Sequence, residues 1–372
     1  MVKVLLAGAG GYGVNYLKEL LSGKVEDAVL SGIADPFFHA SPYRAEAGDI
    51  PVTDSPAEFY ARCGKADLTV ISSPVHTHYR YTKEALAIGS DVLVEKPVVI
   101  SLPLLDDLIK LEKESGHFVA VGYQLCFSRD ILQMKKDILS GLYGKPLRMR
   151  SIRLMRRGDA YYSRNSWAGR FSSGGEYVLD SPLSNACAHQ MQNMLFLLGD
   201  DMSATADVES VDGFLCKGRP SIENFDAAAI CAETDKGVPC FFYAAHCVDE
   251  KKIGPNSTYE FEKGRIAGED DVYKGYLDDG TVIDYSPLRS PGMQKLYDAV
   301  AAVKTRERPF CTLSSSRAHV KTVLLAEDLP VRLAWDAERK MDDKGDFYYS
   351  VPGLSATFQE SYMNWSIPDK VR

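Results

Sequence analysis

The chain has 372 residues and a formal net charge of −8, from 43 Lys and Arg against 51 Asp and Glu. Hydrophobic residues make up 45% of it and charged residues 25%, which is typical of an ordinary globular protein. An acidic surplus repels phosphate backbones and anionic lipid, and no apolar run approaches the ~18 residues of a membrane span. The composition therefore argues against nucleic acid and membranes as partners, and the length allows two or three domains.

The cysteines and the start of the chain indicate a reducing compartment. The eight cysteines form no C-x-x-C pair and no metal-ligand spacing, and several lie in apolar stretches, where a reduced thiol packs as a small hydrophobe. The first residues, Met1-Val-Lys-Val-Leu-Leu-Ala, read as a strand and not as a basic segment followed by a long apolar run. We therefore expect a soluble cytoplasmic protein.

Short apolar runs alternate with helical patterns over the first third of the chain. Leucines at helical spacing follow the first run, and Ser101 is placed to cap a later helix. This alternation predicts a doubly wound parallel sheet, an α/β fold. The predicted strands are 2–7, 28–34, 68–71, 91–94 and 118–121.

After about Tyr123 the pattern changes to strands separated by glycine-bearing turns, which we interpret as an antiparallel α+β domain. The predicted strands are 147–154, 225–232, 240–247 and 257–261, and the predicted helices are 182–198 and 314–328. The predicted domains are thus 1–122 and 123–336, followed by a tail, 337–372, whose role the sequence does not indicate.

A glycine-rich turn lies between the first strand and the first helix. Its letters, Gly8-Ala-Gly10-Gly11-Tyr12-Gly13, form G-x-G-x-x-G, which gains meaning from its place after a strand and before a helix. The first glycine permits the turn, the second lets the backbone approach a pyrophosphate, and the third allows close helix–strand packing. The helix N-terminus then offers unpaired N–H groups to the phosphates. We therefore predict a dinucleotide cofactor here.

Asp35 lies 22 residues beyond Gly13, at the end of the second predicted strand. A carboxylate at this position accepts hydrogen bonds from the ribose hydroxyls of the cofactor and repels a 2′-phosphate. The sequence therefore favours NAD over NADP.

Two further segments fall at strand ends, on the carboxyl edge where open α/β sheets bind ligands. They are Ser73-Pro-Val-His-Thr-His78 and Glu95-Lys96-Pro97. A lysine held at this edge can donate to a substrate oxygen, although Glu-Lys-Pro by itself also reads as a solvated loop stiffened by proline. His76 and His78 have the spacing of a metal pair, but no third ligand is apparent, and hydride transfer to NAD needs no metal. No metal is expected.

Taken together, these segments resemble the Gfo/Idh/MocA oxidoreductases, the glucose–fructose oxidoreductase and inositol dehydrogenase family. The resemblance covers most of residues 1 to about 330, and its motifs are specific for the family but weak for the substrate. It is carried by Ser73-Pro, His78, Ala87-Ile-Gly-Ser-Asp-Val-Leu-Val-Glu-Lys-Pro97, Gly141-Leu-Tyr-Gly144-Lys-Pro146, Gly174-Gly175, His189 and Gly199.

The resemblance implies an N-terminal Rossmann domain and a C-terminal α+β domain with a large open, mostly antiparallel sheet, through which a homo-oligomer forms. It implies NAD(P)-dependent oxidation or reduction of sugars and cyclitols. It makes Lys96 the catalytic lysine that contacts the reacting oxygen. The residues that it assigns to the cofactor are Ser73, Pro74, His78, Glu95, Lys96 and Pro97.

The predicted helix 182–198 is mostly apolar but places Asn185, His189 and Gln192 on one stripe. A histidine facing the nicotinamide can act as general acid and base, because imidazole titrates near neutral pH. From the helix alone, a solvated face or a core histidine is an equal interpretation, and the resemblance favours the catalytic one.

Here the chain departs from the family, since the aspartate usual four residues before the histidine is Asn185. Either Asn185 orients the substrate without charge, or Asp180 returns to the site. A second departure is Cys126, where many relatives carry an arginine, so a substrate-anchoring cation is missing or comes from elsewhere. Candidates lie in the segment 156–167, which is rich in sugar-binding residue types. The predicted substrate-binding residues are Asn185, Asp180, Asn165, Trp167 and Tyr123.

The sequence thus predicts an NAD(H)-dependent oxidoreductase that moves a hydride between nicotinamide and a secondary alcohol or ketone of a sugar or cyclitol. Lys96 and His189 are its catalytic residues. Two alternatives stay open. One is a glycoside-cleaving enzyme that uses tightly bound NAD, and the other is a dinucleotide-binding sensor without turnover.

Overall fold

The computed structural model describes residues 1–371. This part of the chain forms two compact units, each built from two segments. The first unit comprises residues 1–128 and 290–316, and the second comprises 129–289 and the chain from 317 onward. The chain therefore leaves the first unit and later returns to it. The predicted domain boundaries at residues 122 and 336 divide the chain linearly and do not include this return.

The first segment of the first unit forms the doubly wound sheet expected from the sequence. All six strands are parallel, in the order β3-β2-β1-β4-β5-β6, so the predicted α/β fold is confirmed. The elements are β1 (Val2–Ala7), α1 (Gly13–Leu21), β2 (Ala28–Ala34), β3 (Val52–Thr53), α2 (Pro56–Cys63), β4 (Leu68–Ile71), α3 (Val75–Ile88), β5 (Asp91–Val94), α4 (Leu102–Ser115) and β6 (Val119–Val121).

Local chemistry explains these elements. Strands β4 and β5 are buried along their whole length, as expected of a sheet covered by helices on both faces. Ser101 caps α4, since its side chain accepts a hydrogen bond from Leu104 N at 3.4 Å. The sequence did not predict β3 or α2, because β3 has only two residues and α2 buries only Pro56 and Phe59.

The second unit is built around a nine-stranded sheet in the order β16-β15-β14-β13-β7-β12-β11-β10-β17. Its first segment contains α5 (Arg129–Leu139), β7 (Pro146–Leu154), α6 (Asp159–Tyr162), β8 (Ser172–Ser173), β9 (Glu176–Tyr177), α7 (Ala188–Leu197), β10 (Val208–Lys217), β11 (Ala227–Thr234), β12 (Pro239–Ala245), β13 (Ile253–Phe261), β14 (Gly264–Glu269), β15 (Val272–Leu277) and β16 (Val282–Asp284). The remaining elements are α8 (Gln294–Thr305), which belongs to the first unit, then α9 (Leu313–Glu327), β17 (Val331–Leu333), β18 (Glu338–Met341), β19 (Phe347–Ser350) and α10 (Leu354–Asn364).

The large, mostly antiparallel sheet is confirmed, with one correction. β7 pairs with β12 in parallel, not antiparallel, and β10 with β17 likewise. The reason is the connection: α6, α7, β10 and β11 intervene between β7 and β12, and such a crossover brings the chain back in the same direction.

A second correction concerns the predicted helix 182–198. It is broken at Cys187 into a π-helical turn, Pro182–Ala186, and helix α7. Ser181 caps the turn by accepting a hydrogen bond from Ser184 N at 3.3 Å. The break shifts the phase of the helix, and Gln192 is fully buried while His189 remains half-buried, so the single polar stripe predicted from helical spacing does not form.

The tail that the sequence left unassigned covers one face of this sheet. Phe358 and Leu354 of α10 are fully buried in a core with Ile152 of β7 and Tyr243 of β12. The Tyr243 hydroxyl also donates to Ser366 O at 2.8 Å. Since α10 occupies this face of β7 and β12, α7, which contacts the same two strands, lies on the other.

Arg148 and Arg150 lie on strand β7 and serve packing. Arg148 pairs with Glu260 at 2.7 Å. Trp365 directly follows α10 in the sequence, and the guanidinium of Arg150 lies 4.2 Å from the centre of its ring. These arginines hold the tail to the sheet.

Candidate functional site

The glycine turn after β1 has two kinds of glycine. A Cβ on Gly8 would lie 2.5 Å from Ser73 N, and one on Gly13 would lie 2.1 Å from Gly8 O, so neither position admits a side chain. A Cβ on Gly10 or Gly11 would meet no atom within 4 Å. The first pair therefore packs the turn against the sheet, and the second pair leaves open backbone in front of α1. An anionic pyrophosphate fits such a cradle.

Asp35 lies against this turn. Its Oδ2 accepts a hydrogen bond from Ala9 N at 2.8 Å, and its Oδ1 accepts one from Phe37 N at 2.9 Å. The end of β2 and the glycine turn are thereby tied together, and the partly exposed carboxylate lies at the edge of the cradle. This is the position in which an acid meets the ribose of a dinucleotide.

His78 joins the two loops that follow β4 and β5. Its Nδ1 lies 2.9 Å from Pro97 O and its Nε2 lies 2.8 Å from Ser73 O, and the ring is buried. Burial lowers the pKa of His78 below its usual value despite these carbonyls. Because both ring nitrogens contact backbone, His78 supports the cofactor loops from behind and is not placed to join His76 as a metal ligand.

Glu95 is held from behind by a residue that the sequence did not single out. Its Oε1 accepts hydrogen bonds from Tyr16 Oη at 2.6 Å and from Lys295 Nζ, and the Lys295 side chain is 1% exposed. Burial by itself raises the pKa of Glu95, but the charge and hydrogen bond of Lys295, the hydrogen bond from Tyr16 and the charge of Lys96 together hold that pKa below the usual value. The ammonium of Lys295 also lies 4.6 Å from the centre of the Tyr12 ring, which borders the glycine turn.

Lys96 follows this buried carboxylate directly and is partly exposed. Its peptide bond to Pro97 is cis. Tyr123, predicted to bind substrate, is fully buried, and burial raises the pKa of its hydroxyl well above the usual value. The first unit thus gathers the twelve predicted cofactor residues at the ends of β1, β2, β4 and β5, with Lys96 accessible and Tyr123 enclosed.

In the second unit the structure brings Asp180 and Asn185 together. Asp180 Oδ1 accepts a hydrogen bond from Asn185 Nδ2 at 2.9 Å, and its Oδ2 accepts one from Gly169 N at 2.7 Å. Asp180 is buried, and the preceding Leu179 has φ of 39°, an uncommon backbone conformation for a branched residue. Asp180 therefore holds Asn185 and the loop at Gly169 in place. His189 lies in the first turn of α7, four residues after Asn185, and is half-buried.

The segment 156–167 forms an aromatic and basic loop. Asn165 Oδ1 accepts hydrogen bonds from Trp167 N at 3.1 Å and Ala168 N at 2.8 Å, so this predicted substrate ligand shapes the loop with its oxygen. Trp167 is partly exposed. Tyr162 Oη lies 2.9 Å from His246 Nδ1, and the Tyr161 ring lies 5.4 Å from the His246 ring. Sequence reasoning missed His246 because it lies in an apolar strand end far along the chain.

Comparison with known proteins assigns the first of these regions. Residues 2–123 match the sequence model of the Gfo/Idh/MocA group, described as an oxidoreductase family with an NAD-binding Rossmann fold. Over these residues the chain is similar to that family. The chain is 26% identical over 207 residues to the inositol 2-dehydrogenase of Klebsiella pneumoniae, a stretch covering 54% of this chain and 55% of that protein. The matched stretch thus spans about half the length of this curated relative.

Two solved structures share the fold over most of the chain. The WlbA dehydrogenase of Chromobacterium violaceum, in complex with NADH and UDP-GlcNAcA, has a TM-score of 0.75 at 18% identity, covering 88% of this chain and 96% of that one. Levoglucosan dehydrogenase, in complex with NADH and levoglucosan, has a TM-score of 0.72 at 15% identity, covering 88% and 98%. The predicted family resemblance and fold are therefore confirmed. In residues 1–371, no helix combines the length and apolarity that crossing a bilayer requires.

Proposed function

We propose that this protein is a cytoplasmic NAD(H)-dependent dehydrogenase or reductase that acts on a secondary alcohol or ketone of a sugar or cyclitol. The observation that carries the proposal is the open glycine cradle with the Asp35 carboxylate fixed at its edge, 2.8 Å from Ala9 N. The relatives are inositol dehydrogenases by name, which supports a polyol substrate. Neither glycoside cleavage nor a sensor role is favoured by these relatives.

The choice of NAD over NADP rests on Asp35. Its carboxylate is held by two backbone N–H groups, so it stays in place as an acceptor for ribose hydroxyls. A 2′-phosphate at this position would meet a fixed negative charge.

Bound NAD supplies the hydride acceptor, and the chain supplies the proton chemistry and the orientation. We assign Lys96 to the reacting oxygen, where an ammonium group stabilises the developing negative charge. We assign His189 to the hydroxyl proton, which it accepts on oxidation and returns on reduction. Asn185, held by Asp180, orients a hydroxyl group by hydrogen bonding and adds no charge of its own.

A polyol and sugar panel with NAD, followed by NADH absorbance, tests the proposal. We expect NADH formation with at least one cyclitol or aldose and a lower rate with NADP. A double variant of the proposed catalytic residues, Lys96→Met with His189→Ala, should abolish it. Glycoside hydrolysis without net NADH would replace the proposal by the glycosidase alternative, and NAD binding without any turnover would replace it by the sensor.

We also propose a homo-oligomer through the large sheet. Because α10 already covers β7 and β12 on one face, the contact would use the outer strands β13 to β16. Light scattering of the purified protein measures the mass, and a monomer at micromolar concentration contradicts this part of the proposal.

A further inference from the structure

Four arginines of the second unit act through their charges on the buried His246. His246 is 2% exposed, and burial together with the positive charges of Arg157, Arg164, Arg153 and Arg219 lowers its pKa well below the usual value. An uncharged imidazole is the form that such a field favours. The same field attracts an anion.

The acids of this region are already engaged. Asp159 forms ion pairs with Arg219 and with Arg339, the latter at 3.1 Å. Asp249 pairs with Lys340 at 2.9 Å, and Asp346 accepts a hydrogen bond from Ala160 N at 3.0 Å. Arg339, Lys340 and Asp346 belong to the β18–β19 hairpin. The tail therefore holds the segment 156–167 in place, and its basic residues pair with Asp159 and Asp249.

Arg157 and Arg164 are left without carboxylate partners in the described part of the chain. Their guanidinium carbons lie 4.6 and 3.4 Å from the centre of the Tyr161 ring. Arg157 Nε is buried and has no hydrogen-bond acceptor, and His246 Nε2 is likewise buried without a partner within residues 1–371. Buried polar atoms of this kind normally find a hydrogen-bond partner, so two unmet atoms beside two arginines without a carboxylate partner point to a ligand.

This cluster is connected to the residues assigned to the substrate. Asp180, which holds Asn185, also acts on Tyr161 through its charge. Asp180 and the buried Asp226 both act on Tyr162 through their charges. The oxygens of Asp180 accept hydrogen bonds from Gly169 and Asn185, and those of Asp226 accept from the backbone of Gly218 and Arg219.

We propose that Arg157 and Arg164 form a subsite for an anionic substituent, a carboxylate or a phosphate, on the sugar substrate. A planar guanidinium binds either group through two parallel N–H···O bonds. Arg164 donates from Nη1 to Tyr161 O at 2.9 Å, which leaves its other N–H groups for an anion. Within the proposed class of sugars and cyclitols, the subsite then favours a sugar acid or a sugar phosphate over a neutral compound. This inference rests on the proposed function, because it assumes that the second unit binds a sugar.

Calorimetric titration of the NAD-loaded protein with D-glucose, D-glucuronate and glucose 6-phosphate tests the subsite. We expect at least one anionic probe to bind tenfold or more tightly than glucose, and the preferred probe distinguishes carboxylate from phosphate. Arg157→Gln and Arg164→Gln should each remove tenfold or more of the anion's affinity and leave glucose binding unchanged. Arg170→Gln is the matched control, because Arg170 lies in the same region but pairs with Glu223 at 2.9 Å.

Equal binding of all three probes, or variant effects that are the same for glucose, would overturn the subsite. NADH formation in the same samples separates it from the proposed function. If neutral sugars are oxidised at the same rate in the wild type and in both arginine variants, the dehydrogenase proposal stands and the subsite is rejected. If the anion binds in an arginine-dependent way but no probe is turned over, the subsite stands and the dehydrogenase proposal is rejected.

Discussion

Lys295 and Glu95 form a buried ion pair across 200 residues of sequence. The lysine comes from α8, in the returning segment, and the carboxylate precedes Lys96 at the end of β5. The lysine also donates to Gly122 O at 3.3 Å, so it links three places on the carboxyl edge of the sheet. The pair fixes the backbone from which Lys96 projects.

Removing either partner should destabilise the protein strongly, since it leaves an unpaired buried charge. We expect Glu95→Gln and Lys295→Met each to lower the free energy of unfolding by about 3–5 kcal/mol, and the double variant to lose less than their sum. Urea unfolding measures this. Lys304→Met, which breaks the exposed pair with Asp27, should change nothing measurable, and additive losses in the double variant would contradict the coupling.

Asp35→Ser should weaken NAD binding by about 10- to 100-fold, the value of a hydrogen bond to a charged group, and relax discrimination against NADP(H). Titration with both cofactors measures the ratio. Asp49→Ser, at an exposed position of the same unit, should leave it unchanged. A wild-type protein that already prefers NADP(H) would show that Asp35 has been misassigned.

His189→Ala should lower kcat by about 10²–10⁴-fold, the usual contribution of a general acid or base. The variant should also lack the limb of the pH–rate profile near neutrality that an imidazole produces. Lys96→Met should lower kcat while NAD affinity is preserved. A wild-type pH–rate profile in His189→Ala would show that His189 is not the general acid and base. Unchanged turnover in Lys96→Met would show that Lys96 does not act on the reacting oxygen.

Glu327 predicts a pH dependence of stability. Burial raises its pKa to about 7 from the ordinary 4.5, although Asn224 Nδ2 donates to it at 2.7 Å. The folded state holds this proton more tightly than the unfolded chain does. The protonated Glu327 therefore contributes its full stabilisation of the fold below pH 4.5, and this stabilisation is lost as the pH rises through about 7. Glu327→Gln should therefore gain stability relative to wild type between pH 5 and 8 in urea unfolding, as these two pKa values imply. The exposed Glu176→Gln is the control, and a constant difference across this range would contradict the assignment.

Phe358→Ala tests the role of the tail. The side chain is fully buried between α10 and the sheet, so its removal should lower the free energy of unfolding by about 3–5 kcal/mol. Met363 of the same helix is 65% exposed, and Met363→Ala should stay within about 0.5 kcal/mol of wild type. Equal effects of the two substitutions in thermal unfolding would show that α10 does not cover the core.

The sequence by itself determined the parallel sheet, the glycine turn, Asp35 and the loop that carries Lys96, because these features depend on local hydrophobic patterns and on short motifs of fixed spacing. Only the tertiary structure decided what lies behind and beside them. Lys295 reaches Glu95 through a chain return, and the tail pairs with the acids near Arg157. Each of these depends on contacts between distant segments, for which hydrophobic periodicity carries no signal. The −8 net charge of the sequence likewise says nothing about the four arginine charges that act on His246.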